Sequence, residues 1–329
     1  GSDLISRWSK QAERPLDTLK FLPDDTVFAS FSDHALAELW QWLDQHIGGS
    51  EIGEMASGWN QMKLGMASAG IDLQTIFDSL GRKIGLVVTL DREKSFPVPG
   101  DISGMTFPAP GLALIVDTKD DTVFNLFQKF LPMAELNQED GYKTLTMPDM
   151  PLPFDLKLKF CQGKDRFILA SNSTLLETLK KGAHPSRALT DTAEFKEMSQ
   201  FMPDTGNGFR YLSSRLWDEI SKMVKSKLEH EGNNPSAAAG IGFLTRLLPS
   251  RLAQYSVIRH QGDSINIKMN HSFSAGHLML LPAVTGVGII SAIAIPNLIR
   301  AREQAAKIIN EDPGSQAEET AAKGTFQEE

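Results

Sequence analysis

The sequence predicts an α+β fold with a mixed, largely antiparallel sheet, helices on one face, and one C-terminal membrane-type helix. Short β-type apolar runs alternate with amphipathic helical stretches, and several strands are separated only by short turns. The uncharged segment 278–299 predicts the membrane-type helix. We expect a first α+β half at 1–190 and an abbreviated second half at 191–276. The apolar helix is expected at 277–309, and a disordered acidic tail at 310–329.

Four strand–helix units can be read along the body. In each, an apolar run leads through a residue that can cap a helix into apolar residues at helical spacing. The runs are Val27 to Phe31, Leu112 to Val116, Phe167 to Ala170 and Phe209 to Leu212. The expected caps are Ser32 or Asp33, Thr118 to Asp121, Ser171 to Thr174, and Ser213 or Ser214. Such side chains accept hydrogen bonds from N–H groups that have no partner within the helix.

Further strands fill the gaps between these units. They are expected at Ile84 to Leu90, Tyr142 to Met147, Leu156 to Cys161, Ala253 to His260 and Ser264 to Asn270. Neighbouring strands joined by short turns form antiparallel hairpins, which favours an α+β sheet over a doubly wound parallel one. Linkers are expected around 96–110, 182–190 and 232–239, where proline, glycine or small residues accumulate.

Two stretches resemble each other. Phe21 to Asp24 reads Phe-Leu-Pro-Asp before a strand and helix, and Phe201 to Asp204 reads Phe-Met-Pro-Asp in the same context. A repeated unit would explain the likeness. A loop sequence of a kind that is common before strands would explain it equally well.

Composition limits the possible partners. The net charge of -8 and a pI near 5.5, without a basic stripe, argue against nucleic-acid binding. A single cysteine, Cys161, excludes an intramolecular disulfide framework and a thiolate zinc cluster.

No group of residues forms a catalytic, cofactor-binding or metal-binding signature. The histidines at 34, 46, 184, 230, 260, 271 and 277 lack the close pairing of a zinc site. Asp33 and His34 lie near Ser30 and Ser32, but such close neighbours point in different directions, so a helix cap is the preferred interpretation. We therefore predict no catalytic residues, no cofactor and no metal.

The segment Leu278 to Ile299 carries no charged residue over 22 positions. At 1.5 Å per residue that length crosses a hydrocarbon core of ~30 Å. Arg300, Arg302 and Lys307 follow it as basic flanking residues, which predicts a cytoplasmic C-terminus and an extracytoplasmic body. The alternative is a buried helix of the globular core. Gly288 and Ala292, four residues apart, form a candidate face for association with a helix of another copy or a different partner.

The stretch Gly288 to Ala305 resembles the distal part of the membrane helix of type IV pilins and pseudopilins, through Ala-Ile-Pro-Asn followed by Arg-x-Arg. In that family the helix is N-terminal, follows a processing glycine and carries a glutamate, whereas here it is C-terminal and lacks both. The assembly role of pilins is therefore not carried over.

The body resembles a poorly characterised bacterial extracytoplasmic family of unknown function. The resemblance is carried by Leu-Pro-Asp-x-Thr at Leu22 to Thr26, the stretch Gly70 to Leu90, and the strand and helix start at Phe167 to Leu176. It implies a location in the cell envelope more than an activity.

These observations favour a non-enzymatic protein of the bacterial envelope, with an extracytoplasmic structural or partner-binding body held in the membrane by residues 278–299. The alternative is a hydrolase or lipid-handling enzyme with a cleft between the two halves. A pocket that brings together several of Asp33, His34, His184 and His260 would favour that alternative.

Overall fold

The computed structural model describes residues 12–49, 53–97, 106–148, 157–182, 187–230, 251–261 and 264–273. All of these belong to one compact unit. A second unit, formed by Pro99–Ile102 and Ser274–Glu329, falls outside the described residues.

Twelve strands and seven α-helices make up the described body. The strands are β1 (Arg14–Pro15), β2 (Thr26–Asp33), β3 (Leu80–Pro97), β4 (Thr106–Thr118), β5 (Glu135–Glu139), β6 (Tyr142–Thr146), β7 (Lys159–Gln162), β8 (Arg166–Ala170), β9 (Thr205–Gly206), β10 (Gly208–Leu212), β11 (Gln254–Gln261) and β12 (Ser264–His271). The helices are α1 (Leu36–Gly48), α2 (Gly53–Ser68), α3 (Leu73–Ser79), α4 (Thr122–Phe130), α5 (Ser173–Lys181), α6 (Ala193–Ser199) and α7 (Ser214–His230). Short 3-10 turns occupy Asp17–Phe21 and Leu189–Asp191.

Ten strands form one antiparallel sheet in the order β12-β11-β10-β2-β3-β4-β8-β7-β6-β5, and β1 pairs with β9 beside it. This confirms the predicted α+β class with a large antiparallel sheet. The predicted linker at 96–110 is wrong at both ends, because β3 and β4 extend into it and pair Phe96 with Phe107. The two rings lie 6.1 Å apart and supply the cross-strand contact that the Pro-rich composition concealed.

The strand order is mirrored about the β10–β2 pair over six of the ten strands. On one side β2 is followed in the chain by helices and then by the hairpin β3–β4, and on the other β10 is followed by α7 and then by β11–β12. Two copies of one strand–helix–hairpin unit would produce this order, so it supports the predicted repeat, which stays a prediction. The two predicted halves share a single sheet, since β2 pairs with β10.

Helices cover both faces of the sheet, so the prediction of helices on one face is wrong. Phe167 packs in a cluster with α4, whereas its neighbour Ile168 packs in the main core with α5 and α6. Phe160 and Cys161 divide between the two clusters in the same way. Successive residues of a strand point to opposite faces. A strand whose successive residues are all apolar therefore needs helices or other elements packed against both faces of the sheet.

One glycine fixes the packing at the centre of the sheet. Gly85 on β3 pairs with Phe31 on β2, and a Cβ atom at Gly85 would lie 2.0 Å from the Phe31 ring. The same ring stacks on Phe209 at 5.2 Å between centroids. Glycine leaves the space in which the Phe31 side chain lies across β3.

Candidate binding groove

The residues predicted to associate with another helix or to flank the membrane are Gly288, Ala292, Arg300, Arg302 and Lys307. They lie outside the described residues, as does segment 278–299. Within the described ranges, no helix is both long enough and apolar enough to cross a membrane.

The Asp33 and His34 region forms a polar cluster at one end of the sheet. The Nε2 atom of His34 lies 2.6 Å from Ser32 Oγ. The backbone carbonyl of Asn207 accepts a hydrogen bond from the Asp33 N–H at 2.7 Å. The side-chain Oδ1 of Asn207 accepts one from the His260 N–H at 2.8 Å. Burial lowers the pKa of His34; the charge of Asp33 opposes that shift, and His260 adds to it.

This cluster does not cap a helix. Strand β2 continues through Asp33, which pairs with Lys83, and the N-cap of α1 is Ala35 without a side-chain hydrogen bond. The predicted cap at Ser32 or Asp33 is therefore wrong. The cavity beside Asp33 measures about 10 Å³, room for a single water. His184 lies outside the described residues.

A much larger groove, of about 390 Å³, lies between the N-terminal segment and the region of α6. Its walls come from both predicted halves of the body. The lining residues are Pro15, Leu16, Asp17, Leu19, Lys20, Thr190, Phe195, Ser199, Met202, Pro203, Asp204 and Tyr255. Small-molecule sites have volumes of ~300–1,000 Å³ and mostly apolar walls, so the groove has the size and character of a ligand site. We call it the 15–204 groove.

Two buried aromatic residues lie at this groove. Phe195 on α6 and Tyr255 on β11 meet edge to face, with ring centroids 5.1 Å apart. Burial raises the pKa of Tyr255, and the nearby charge of Asp204 adds to the shift. The phenol therefore stays neutral at physiological pH, and it forms no hydrogen bond to any other described residue.

The N-terminal wall is fastened to the sheet by backbone pairing and one ion pair. The Leu16 N–H donates to the Asp204 carbonyl at 3.1 Å. Arg259 Nη2 contacts Glu13 Oε2 at 2.7 Å, and this hydrogen bond holds the pKa of Glu13 below its usual range. Leu16 and Leu19 of this wall pack against the main core.

The opposite wall is fastened to the edge strand β12. Asn270 Nδ2 donates to the Met198 carbonyl at 2.9 Å, and Lys268 Nζ donates to the Phe201 carbonyl at 2.6 Å. Phe201 has a φ of 61° and is 82% exposed, next to Met202 in the wall. A non-glycine residue in the left-handed region costs on the order of 1 kcal/mol, so the surrounding contacts hold this turn in place.

Charged side chains occur only at a few of the lining positions. Lys20 Nζ contacts Asp17 Oδ1 at 2.6 Å, and both side chains are mostly exposed. Asp204 is also exposed. The lining residues include no histidine and no cysteine. The arrangement can therefore take up an apolar group with its polar end near Asp17, Lys20 and Asp204.

A second polar cluster lies at the other end of β2. Burial raises the pKa of Asp25 to about 6, and Asp24 and Asp91 add to the shift while Arg215 opposes it. Asp25 Oδ1, Thr26 Oγ1 and Arg215 Nη1 are buried without hydrogen-bond partners. These residues are not among those that line the 15–204 groove.

Comparison with known proteins places this chain in no family. No protein-family model matches it, and no curated protein matches it. A solved structure described as crystal form I of TP0453 aligns over 81% of each chain, with 10% sequence identity and a TM-score of 0.31. A likeness this weak transfers neither fold nor function.

Proposed function

We propose that this protein is a non-enzymatic, membrane-anchored protein of the bacterial cell envelope, with an extracytoplasmic body that serves a structural or partner-binding role. The observation that carries the proposal is the uncharged stretch 278–299, followed by Arg300, Arg302 and Lys307. The buried Phe273 is the last described residue of the body, and four residues separate it from Leu278 in the sequence.

The 15–204 groove supplies the partner-binding part of the proposal. It is apolar, partly open, and built from segments that are far apart in the chain.

The 15–204 groove also favours one part of the alternative function, namely the lipid binding that a lipid-handling enzyme needs. Hydrolysis would further require an activated nucleophile and a base within hydrogen-bond reach of the substrate. Release of product from a lipid ester by the purified chain would favour that alternative.

Fractionation of the full-length chain tests the anchor. We expect the protein to stay with the membrane after carbonate washing and to need detergent for release. The matched variant Ile289→Arg/Ile293→Arg places two charges in the segment, at a cost of ~2.5–3.5 kcal/mol each for insertion, and should move the protein to the soluble fraction. A wild-type chain that is soluble and monomeric without detergent would refute the proposal.

Orientation can be tested with a single thiol. Cys161 is fully buried, and burial raises the pKa of its thiol, so it should react slowly with a maleimide. Thr325→Cys adds a reactive thiol to the tail. We expect a membrane-impermeant maleimide to label it only after the inner membrane is opened, whereas labelling of intact spheroplasts would place the tail outside.

A further inference from the structure

We infer that the 15–204 groove binds one acyl chain of a zwitterionic lipid. The inference rests on the proposed membrane attachment, because a body held at a membrane surface has lipid as its most abundant apolar ligand. It adds the ligand class and the residues that contact it.

The walls of the groove suit a hydrocarbon chain better than a peptide. Leu16, Leu19, Phe195 and Met202 offer apolar contact. Two N–H groups of the walls are already used within the chain, since the Leu16 N–H donates to the Asp204 carbonyl and the Met202 N–H donates to the Ser199 carbonyl at 3.0 Å. A bound peptide would bring its own N–H and C=O groups into a site where these backbone partners are taken. A hydrocarbon chain has no such requirement.

The size of the groove favours an extended chain over a helix. A helix formed by residues 278–299 would be ~33 Å long and at least ~10 Å wide, several times larger than the groove. The groove's volume of about 390 Å³ instead falls at the lower end of small-ligand sites. One extended hydrocarbon chain fits such a space, and a helix of that length does not.

The charged lining residues favour a zwitterionic head group. Asp17 and Asp204 outnumber Lys20, so a free carboxylate or an anionic head group would meet net repulsion. A head group with an accessible cation, as in phosphatidylethanolamine or phosphatidylcholine, avoids it.

The test uses the full-length chain in phosphatidylcholine vesicles that contain a phosphatidylcholine with a diazirine at the end of one acyl chain. After illumination, mass spectrometry of peptides locates the adducts. We expect adducts in 278–299, which report the anchor, and a second set in 15–20 and 195–204, which report the groove. The same vesicles with a diazirine-labelled phosphatidylglycerol should give fewer groove adducts.

A filled groove provides the decisive comparison. Ser199 lines the groove and Gln200 is exposed outside it, so Ser199→Phe and Gln200→Phe add the same ring in and beside the site. We expect Ser199→Phe to lower groove adducts about tenfold, equivalent to about 1.4 kcal/mol of binding free energy, with the 278–299 adducts unchanged. Gln200→Phe should match the wild type. If Ser199→Phe does not fold, Leu19→Gln replaces it and should also lower groove adducts.

The outcomes separate this inference from the proposed function. Groove adducts that persist at the wild-type level in both Ser199→Phe and Leu19→Gln would overturn the acyl-chain inference. Anchor adducts without groove adducts would overturn it and leave the anchor standing. Groove adducts without adducts in 278–299 would support the groove and refute the anchor. Cross-links from the groove to a neighbouring protein, with no lipid adduct, would assign it to an apolar peptide and overturn the inference.

Discussion

Replacing Tyr211 by phenylalanine tests how much one hydrogen bond contributes to the stability of the body. The Tyr211 hydroxyl donates to Glu194 Oε1 at 2.8 Å, and the tyrosine is 2% exposed. Glu194 on α6 also accepts the backbone N–H of Ser214 at 3.2 Å and lies 3.7 Å from Arg251 Nη2. The carboxylate thereby ties α6 to β10 and to the start of α7. Burial raises the pKa of Tyr211, as does the negative charge of Glu194, so the hydroxyl keeps its proton at any working pH.

The expected loss is about 2 kcal/mol, because a hydrogen bond to a charged group contributes ~1.5–3 kcal/mol and Glu194 keeps its other donors. In a body of this size, 2 kcal/mol lowers the melting temperature by roughly 4–8 °C. Thermal unfolding of the full chain in one detergent, followed by circular dichroism, measures the difference.

The matched control is Tyr255→Phe. Tyr255 pairs with Tyr211 across β10 and β11 and is also 2% exposed, but its hydroxyl forms no hydrogen bond to a described residue. We expect a change below about 0.5 kcal/mol for this variant. Equal melting temperatures for the two variants would show that the Glu194 hydrogen bond is not what stabilises this part of the fold.

Three further predictions address other parts of the chain. The pKa of the Asp25 carboxyl is raised to about 6 in the folded protein. The neutral carboxyl therefore stabilises the fold below about pH 4, and this contribution is lost as the pH rises through about 6. Asp25→Asn should therefore be more stable than the wild type at pH 8, by up to ~3 kcal/mol, and nearly equal at pH 4; a pH-independent difference in urea midpoints would contradict this. Gly85→Ala should destabilise by ~1–3 kcal/mol through overpacking, whereas Gly58→Ala on α2, where a Cβ meets no atom within 4 Å, should stabilise by ~0.5–1 kcal/mol; chemical denaturation that ranks them in the opposite order would refute the packing argument. Gly288→Leu/Ala292→Leu should weaken self-association in a membrane-dimerisation assay while the body stays folded, and unchanged association would discard that face.

The sequence best predicts the elements whose apolar pattern and flanking turn residues lie within the same short stretch of chain. Phe209 to Leu212 and Phe167 to Ala170 alternate or run apolar between turn residues, and β10 and β8 match them within one residue. Helix α2 carries no buried residue, although Met55, Trp59 and Met62 recur at helical spacing, so its pattern can indicate a helix but not a place in the core. The face of the sheet that each helix covers depends on the order of the strands, which no local pattern encodes.

The groove shows the same limit at a candidate site. A cleft between the two halves could be anticipated, but its residues could not. Leu16 and Leu19 lie in a polar leader, and only the pairing of β1 with β9 brings them to Phe195. One sequence pattern did point to this region: the Phe-Met-Pro-Asp stretch at 201–204 suggested a repeat, and it forms part of the groove wall.

The mirrored strand order also constrains how the body can fold. Ser30 on β2 pairs with Arg210 on β10, 180 residues later in the chain, so the β2–β10 pairing forms only after most of the body has been synthesised. Until then β2 presents an unpaired edge, with N–H and C=O groups that can pair with another chain. Such distant pairing slows folding, because the chain loses the entropy of closing a long loop before the stabilising contacts form. A mutation that weakens β10 would open the sheet between β11 and β2 and separate the β11–β12 hairpin from the strands β2 to β5, whereas one that weakens β12 would loosen an edge strand and the groove wall that it holds.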